Sequence, residues 1–390
     1  MFTIYSNEGK KIPIKIWLNN ENQLEPIAKE QIMNAAKLPV VFHHIALMPD
    51  CHPGYGVPIG SVIALDNAIS PNMVGVDIGC GMLSIKTNLK QIDIEDLKKI
   101  VSLIKQEIPV GFKHRSIAQE KMMPAEIPPK GLFNRLDFSD VSKQIGTLGG
   151  GNHFLEIQSG NDGHIWFTVH SGSRNMGKQI AEHYHKIAQE FNEKNKINMP
   201  KNTGLAYLSL NSTKGQDYLN EMNYALEFAA MNREIMYKDI YEAFISVVKM
   251  KVLDTVAIHH NYAAMENHFG KNVMIHRKGA ICARKGLRGI IPGSQGTKSY
   301  IVMGKGNKDS FESSSHGAGR VMGREEAKRR LDLKAEVNAL NEKGIIHAIR
   351  GKGDLEEAPG AYKAIDEVMA MQTDLVDILV ELTPLAVVKG

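Results

Sequence analysis

GVDIGCGM, residues 75–82, sets an aspartate and a cysteine three positions apart among three glycines and runs straight into the strand-like MLSIKT. Glycines of this density give up backbone entropy on folding, and they suit a loop where the chain approaches a ligand closely. On the residues alone Cys80, beside Asp77, has three readings: a thiolate presented to a metal, a nucleophile, or a small core residue. A donor pair in a loop that feeds a strand predicts a site assembled at the ends of β-structure from distant segments.

The 390 residues suffice for one large core or for two to three ordinary domains. With 43% hydrophobic and 23% charged residues the composition is that of a soluble globular protein and excludes a disordered chain. A net charge of +4 neither demands nor opposes a polyanionic partner. There are three cysteines, Cys51, Cys80 and Cys282, no signal-like start and no apolar stretch of membrane-spanning length. These features predict a reducing, cytoplasmic setting, no disulfide scaffold and no membrane partner.

Outward from the opening segment, β-branched runs bounded by Gly and Pro predict strands at IPIKIWLN (12–19), VPIGSVIAL (57–65), VMIHRKG (273–279) and SYIVMGKG (299–306). HIWFTVH (164–170) predicts a strand that ends in a histidine. Helical spacing is expected over residues 92–108, from SGSRNMG to about Lys194, and over 214–252, 324–342 and 362–382. No composition shift, linker or repeat divides the chain. The expectation is therefore one α+β domain, residues 1–390, with mixed sheets at the core and helices around them.

The remaining glycines gather around histidines, in TLGGGNHFLE, HSGSRNMG and SHGAGR, and in IPGSQGTKS. His153, His170, His259 and His260 therefore join Asp77 and Cys80 as candidate N, O and S donors for a metal. Any one such histidine alone is ordinarily structural. Ligand softness favours Zn²⁺ over Mn²⁺. Asp50 and His52 suit an outer shell or plain packing equally. GSQGTKS and HGAGRVMG miss the phosphate-loop and dinucleotide patterns, yet both offer backbone N–H groups to phosphate, and Arg320 adds a planar cation. The basic run HRKGAICARKGLRG (276–289) reads as a solvated face or as a track for a nucleic-acid backbone.

Taken in order, MPDCHPGYGVPIGSVIA, VGVDIGCGM, GGGNHFLE, VHSGSR, HHNY, RKGA, PGSQGTKS, SHGAGRVM and VVKG strongly resemble the RtcB-type RNA ligases, from about Leu47 to Gly390. The resemblance implies GTP-dependent joining of an RNA 3′-phosphate or 2′,3′-cyclic phosphate end to a 5′-hydroxyl end. It implies two Mn²⁺ ions, one on Asp77, Cys80 and His153 and a second on Cys80, His170 and His260, with Cys80 bridging. His316 corresponds to the family's nucleotide-accepting histidine. Guanylate contacts correspond to Asn152, His153, Phe154, Leu155, Glu156, His260, Asn261, Pro292, Gly293, Ser294, Gln295, Ser299, His316, Gly317, Ala318, Gly319 and Lys389. Gln295 stands where the family more often carries methionine, and the segment 115–131 matches less clearly. Two competing functions are a metal-dependent phosphoesterase acting on RNA terminal phosphates and a non-enzymatic RNA-binding scaffold.

Overall fold

The computed structural model describes residues 1–6, 11–125, 129–197, 199–200 and 202–390. Its strands in chain order are β1 (Phe2–Tyr5), β2 (Pro13–Ile16), β3 (Val41–His52), β4 (Ile59–Leu65), β5 (Ala68–Ile69), β6 (Gly81–Thr87), β7 (Phe154–Gly160), β8 (Ile165–Ser171), β9 (Leu208–Ser209), β10 (Val252–His259), β11 (Asn261–His268), β12 (Lys271–Lys278), β13 (Ala280–Cys282), β14 (Arg288–Ile291), β15 (Ser299–Gly304), β16 (Ser313–Ser315) and β17 (Val376–Lys389). A six-stranded sheet runs β1-β2-β3-β4-β12-β11 and a seven-stranded sheet runs β10-β6-β8-β7-β17-β15-β14. The first is mixed, through its parallel β2–β3 pair. The second is antiparallel throughout. The fold is α+β.

Alternation along the strands decides what each sheet faces. On β8, Phe167 and Val169 join a core made with Ile100, Ile240 and Phe244 of the helices Ile94–Glu107 and Thr213–Ile245. Trp166, on the opposite face, packs in the core between the two sheets with Ala46, Val62, Met82, Ile275 and Ile301. Both faces of β8 are thus buried, and truncating a ring such as Phe167 to alanine should cost about 3–5 kcal/mol. His170 lies on the inter-sheet face, one position before the strand ends.

His260 is the only residue between β10 and β11, so the chain passes from the seven-stranded to the six-stranded sheet at that one position. The two end strands of the larger sheet are themselves tied together. Arg288 of β14 pairs with the Asp254 carboxylate of β10 and donates to the Thr255 carbonyl at 3.2 Å.

Three expected helices differ. The 214–252 helix stops at Ile245, and Val252 already begins β10. The 324–342 helix is two, Arg324–Arg330 and Leu333–Glu342, because Asp332 caps a new start by accepting from the Ala335 N–H. Residues 362–382 hold only the short helix Ile365–Ala370 and then enter β17, whose β-branched residues pair with both β7 and β15. Ladder pairing, with β15 along Val376–Leu382 and with β7 from Leu382 to Lys389, overrides a helical spacing that the apolar residues also satisfy. Residues 126–128 of the weakly matching 115–131 segment lie outside the described residues. No described helix is long and apolar enough to cross a membrane.

Candidate active site

Gly75 and Gly79 take positive φ in the loop between the short helix Pro71–Val74 and β6, and the loop delivers Asp77 and Cys80 to the sheet ends. Arg233 buttresses it from behind. This buried guanidinium, on the helix Thr213–Ile245, donates to the carbonyls of Gly79 at 3.1 Å and Ser171 at 2.8 Å. Nothing in the sequence singled it out, since it is one of many charges in an Ala-, Met- and Glu-rich helical run.

Around that loop three histidines converge. Cys80 Sγ is 3.4 Å from His153 Nε2 and 3.2 Å from His170 Nε2. His153 Nε2 meets Asp77 Oδ2 at 2.8 Å, and His170 Nε2 lies 3.3 Å from His260 Nε2. The ligand atoms form two groups, Asp77–Cys80–His153 and Cys80–His170–His260, each spanning no more than 4.8 Å and sharing the cysteine. His259 turns away and sits against the Gly79 carbonyl and Arg233.

The chemistry of these donors suits divalent metal. His170 Nδ1 donates to the Asn152 carbonyl at 3.0 Å, which leaves the Nε2 lone pair pointing at a sulfur and another imidazole. Burial and then neighbouring imidazoles hold His170 well below the ordinary histidine pKa, and His260 likewise, so both rings are neutral ligands. Burial and the adjacent Asp77 push the Cys80 thiol well above its usual range. A cation at this point reverses that balance and favours the thiolate. Burial works to raise Asp77, but His153 outweighs it and leaves the carboxyl below its ordinary value.

Beside the cluster lies a cavity of about 580 Å³. It is lined by Asn152, Phe154, Glu156, His170, His260, Asn261, Pro292, Gly293, Ser294, Gln295, Ser299, His316, Gly317, Ala318, Gly319 and Lys389. Leu155 and His153 are the two exceptions among the expected guanylate contacts. Alternation along β7 turns the Leu155 side chain into the opposite core with Ile157, and His153 faces the metal-ligand cluster instead.

A hydrogen-bond relay across three strands fixes Glu156. Ser84 Oγ and Thr168 Oγ1 are 2.8 Å apart, Thr168 donates to Gln158 Oε1 at 2.8 Å, and Gln158 Nε2 donates to Glu156 Oε1 at 2.6 Å. Burial pushes the Glu156 carboxyl up to about 8, against the opposing pulls of Gln158 and Lys389.

His316 follows β16, and its imidazole centroid is 4.9 Å from that of His260. Asp50 of β3 lies beneath it, fully buried, with Oδ2 2.7 Å from His316 Nδ1. Gly319 has positive φ, and a Cβ there would collide with the Asp50 carbonyl oxygen, so only glycine closes this turn over Asp50. The sequence left Asp50 undecided between an outer shell and packing. Its usable signal was an acid inside an apolar strand, just before Cys51 and His52.

Glu357 and Tyr362 also line the cavity, and the sequence did not single them out. The buried Glu357 carboxylate accepts from Tyr362 OH, from Arg320 Nη1 at 3.2 Å and from Lys389 Nζ at 3.3 Å. Burial raises its pKa, but Lys389, Tyr362 and Arg320 outweigh that and hold it ionised. The basic run 276–289 divides in two: Arg277 and Lys278 are buried, whereas Arg284 and Lys285 are exposed to solvent. Arg277 is fully buried against Glu266 at 2.6 Å, and Lys278 donates inward to the carbonyls of Tyr55 and Asn72. Arg284 and Arg288 pair with Glu266 and Asp254.

Comparison with known proteins points the same way. The family model described as tRNA-splicing ligase RtcB matches residues 31–129 and 127–390. The RNA-splicing ligase RtcB of Escherichia coli K12 is 37% identical over 402 residues, covering 97% of each chain. The tRNA-splicing ligase RtcB of Thermococcus kodakarensis is 30% identical, covering 97% of this chain and 95% of its own. The RNA-splicing ligase RtcB homolog 1 of Entamoeba dispar is 34% identical over 94% of this chain. With a match over nearly its whole length, the chain belongs to the RtcB family of RNA ligases.

Proposed function

We propose that this ligase joins RNA 3′-phosphate or 2′,3′-cyclic phosphate ends to 5′-hydroxyl ends, using GTP and a covalent His316–GMP intermediate, in a reducing cytoplasmic setting that keeps Cys80 a free thiol. In this reading residues 1–390 act as one catalytic domain. The observation that carries it is the His316 imidazole, held by a buried carboxylate next to a Cys–His cluster and lining a nucleotide-sized cavity.

Asp77, Cys80 and His153 would hold one Mn²⁺, and Cys80, His170 and His260 a second. Such ions, when bound, supply positive charge to phosphoryl oxygens and to the leaving group. The softness of a thiolate favours Zn²⁺, so Mn²⁺ rests on the family resemblance rather than on the donor set.

Asp50 takes the hydrogen bond from His316 Nδ1–H and leaves the Nε2 lone pair free for the α-phosphorus of GTP. Attack forms the P–N bond, breaks the bond to pyrophosphate and stores an activated phosphoramidate. Glu156 accepts from the N1–H and N2–H groups of guanine, which adenine does not present in that arrangement. Lys389 and Arg320 bring cationic donors to the same cavity. An RNA 3′-phosphate oxygen then takes GMP from His316, and the 5′-hydroxyl attacks that phosphate to release GMP. A cyclic end is opened to the 3′-phosphate first.

Incubation with α-labelled GTP and Mn²⁺ tests the reading. Covalent label on the wild type and none on His316→Ala is the expected result. RNA phosphate hydrolysis without any labelled protein would replace the ligase reading with the phosphoesterase one.

A further inference from the structure

Phe112 is the most exposed large apolar side chain among the described residues, with 101% of its surface open to solvent. Its backbone is nevertheless firmly held. Val110 bridges Gly149 in parallel register, and the Gly111 N–H donates to the Gly149 carbonyl at 2.9 Å. Arg174 Nη2 donates to the Gly111 carbonyl at 3.1 Å, and the Lys113 N–H closes the turn onto Val110 O at 3.2 Å. Arg115 clamps the far side, donating to the Gly146 carbonyl at 2.7 Å and pairing with Asp239.

The place of the turn matters. Gly111 packs on Gly149 and on Gly390, next to Lys389. Gly149 in turn lies against the Arg174 guanidinium, and a Cβ on it would be 2.7 Å from His153 Nδ1. The turn that carries Phe112 therefore borders His153 of the metal-ligand cluster, through Gly149, and Lys389 of the nucleotide cavity, through Gly390. Its neighbours Lys113 and His114 are exposed cationic or polar residues. One open π-face with positive charge nearby is what a nucleic-acid base needs in order to stack.

We propose that Phe112 is a stacking platform for an unpaired base of the RNA end delivered to the cluster. The proposal rests on the ligase reading above. Stacked on a pre-positioned ring, the terminal bases enter with their phosphate or hydroxyl turned toward the cluster and the adjoining guanylate cavity.

The test is a cycle of protein and RNA changes, read by fluorescence anisotropy with a short RNA carrying a 3′-phosphate and by ligation kinetics. Phe112→Ala and Phe112→Leu should weaken RNA binding and raise KM about tenfold with kcat little changed, while Phe112→Trp stays near the wild type. Labelling of each variant by α-labelled GTP without RNA should be unaltered. Abasic nucleotides placed next to the 3′-phosphate in one RNA, and next to the 5′-hydroxyl in another, identify the strand. The stacked position penalises the wild type and leaves Phe112→Ala indifferent. Wild-type binding by Phe112→Leu, or an equal abasic penalty in wild type and Phe112→Ala at every position, overturns the platform. A wild type that takes no GMP label overturns the ligase reading instead, and the anisotropy cycle still reads the stacking.

Discussion

Asp50 Oδ2 is shared by two donors of the same residue, the ring Nδ1 of His316 at 2.7 Å and its backbone N–H at 3.2 Å. The carboxylate thereby fixes both the ring orientation and the backbone from which the ring projects, while Asp50 Oδ1 is buried without a partner. Asp50→Asn should leave GTP affinity near the wild-type value and slow covalent labelling on the order of 10²-fold or more, because the amide no longer enforces the tautomer with Nε2 free. Single-turnover labelling beside equilibrium GTP binding separates the two, and equal losses in both would remove the positioning role.

His316→Ala should abolish attachment of GMP but still join an RNA whose 3′-phosphate already carries GMP. The imidazole captures and delivers the nucleotide, whereas the last step requires only the activated end and the 5′-hydroxyl. Gel analysis of both substrates checks this. Failure on the preactivated RNA in a folded, metal-loaded variant would give His316 a second task.

Cys80→Ser should reduce metal stoichiometry as well as labelling, since one sulfur belongs to both ligand groups. Elemental analysis of the purified variant is decisive. Two Mn²⁺ ions bound as in the wild type would rule out the shared thiolate.

The binding of GTP should strengthen as pH rises from 6 to 8. Burial raises the Glu156 carboxyl to about 8, so the free protein keeps that proton across most of the range, and guanine's N–H donors require the ionised form. The stability sign is opposite. A carboxyl raised from 4.5 to about 8 contributes its full stability below 4.5 and loses it as pH climbs through 8. Glu156→Gln should flatten the binding profile and weaken GTP by ~10- to 100-fold, the range for losing hydrogen bonds to a charged acceptor. Calorimetry across the pH range that shows the same slope in the variant would assign the dependence elsewhere.

Lys389→Ala should lower guanylylation while circular dichroism stays unchanged, because Tyr362 and Arg320 still satisfy Glu357. Undiminished labelling would reduce Lys389 to a structural partner of that carboxylate.

The ligand set was readable through the ordered blocks that carry the family resemblance, VGVDIGCGM, GGGNHFLE, VHSGSR and HHNY. Geometry could not be read from spacing. Cys80 and His170 are 90 positions apart and yet 3.2 Å apart in space. Asp50 escaped assignment because its meaning depends on His316, 266 positions away. The largest misreading, a helix through residues 362–382, has the same root: VDILVELTPLAVVK becomes a strand through distant partners taken in succession, β15 along its first half and β7 along its second. Leu155 shows a finer limit. A run of expected contacts along one strand alternates between cavity and core, so a continuous block of sequence supplies side chains to only one face at a time.

His260 is at once a ligand candidate and the one residue between β10 and β11, where the chain crosses from the larger sheet to the smaller. An ion drawn to Cys80, His170 and His260 would rivet the crossing from β10 to β11 onto β8, fastening the larger sheet at the point where the smaller one departs. Chelation would then act mechanically as well as chemically, releasing the splice between two layers whose alignment shapes the cavity. In such an architecture the fastener and the reagent are one object, and a variant that loses its ions loses the jig that holds its substrates in line.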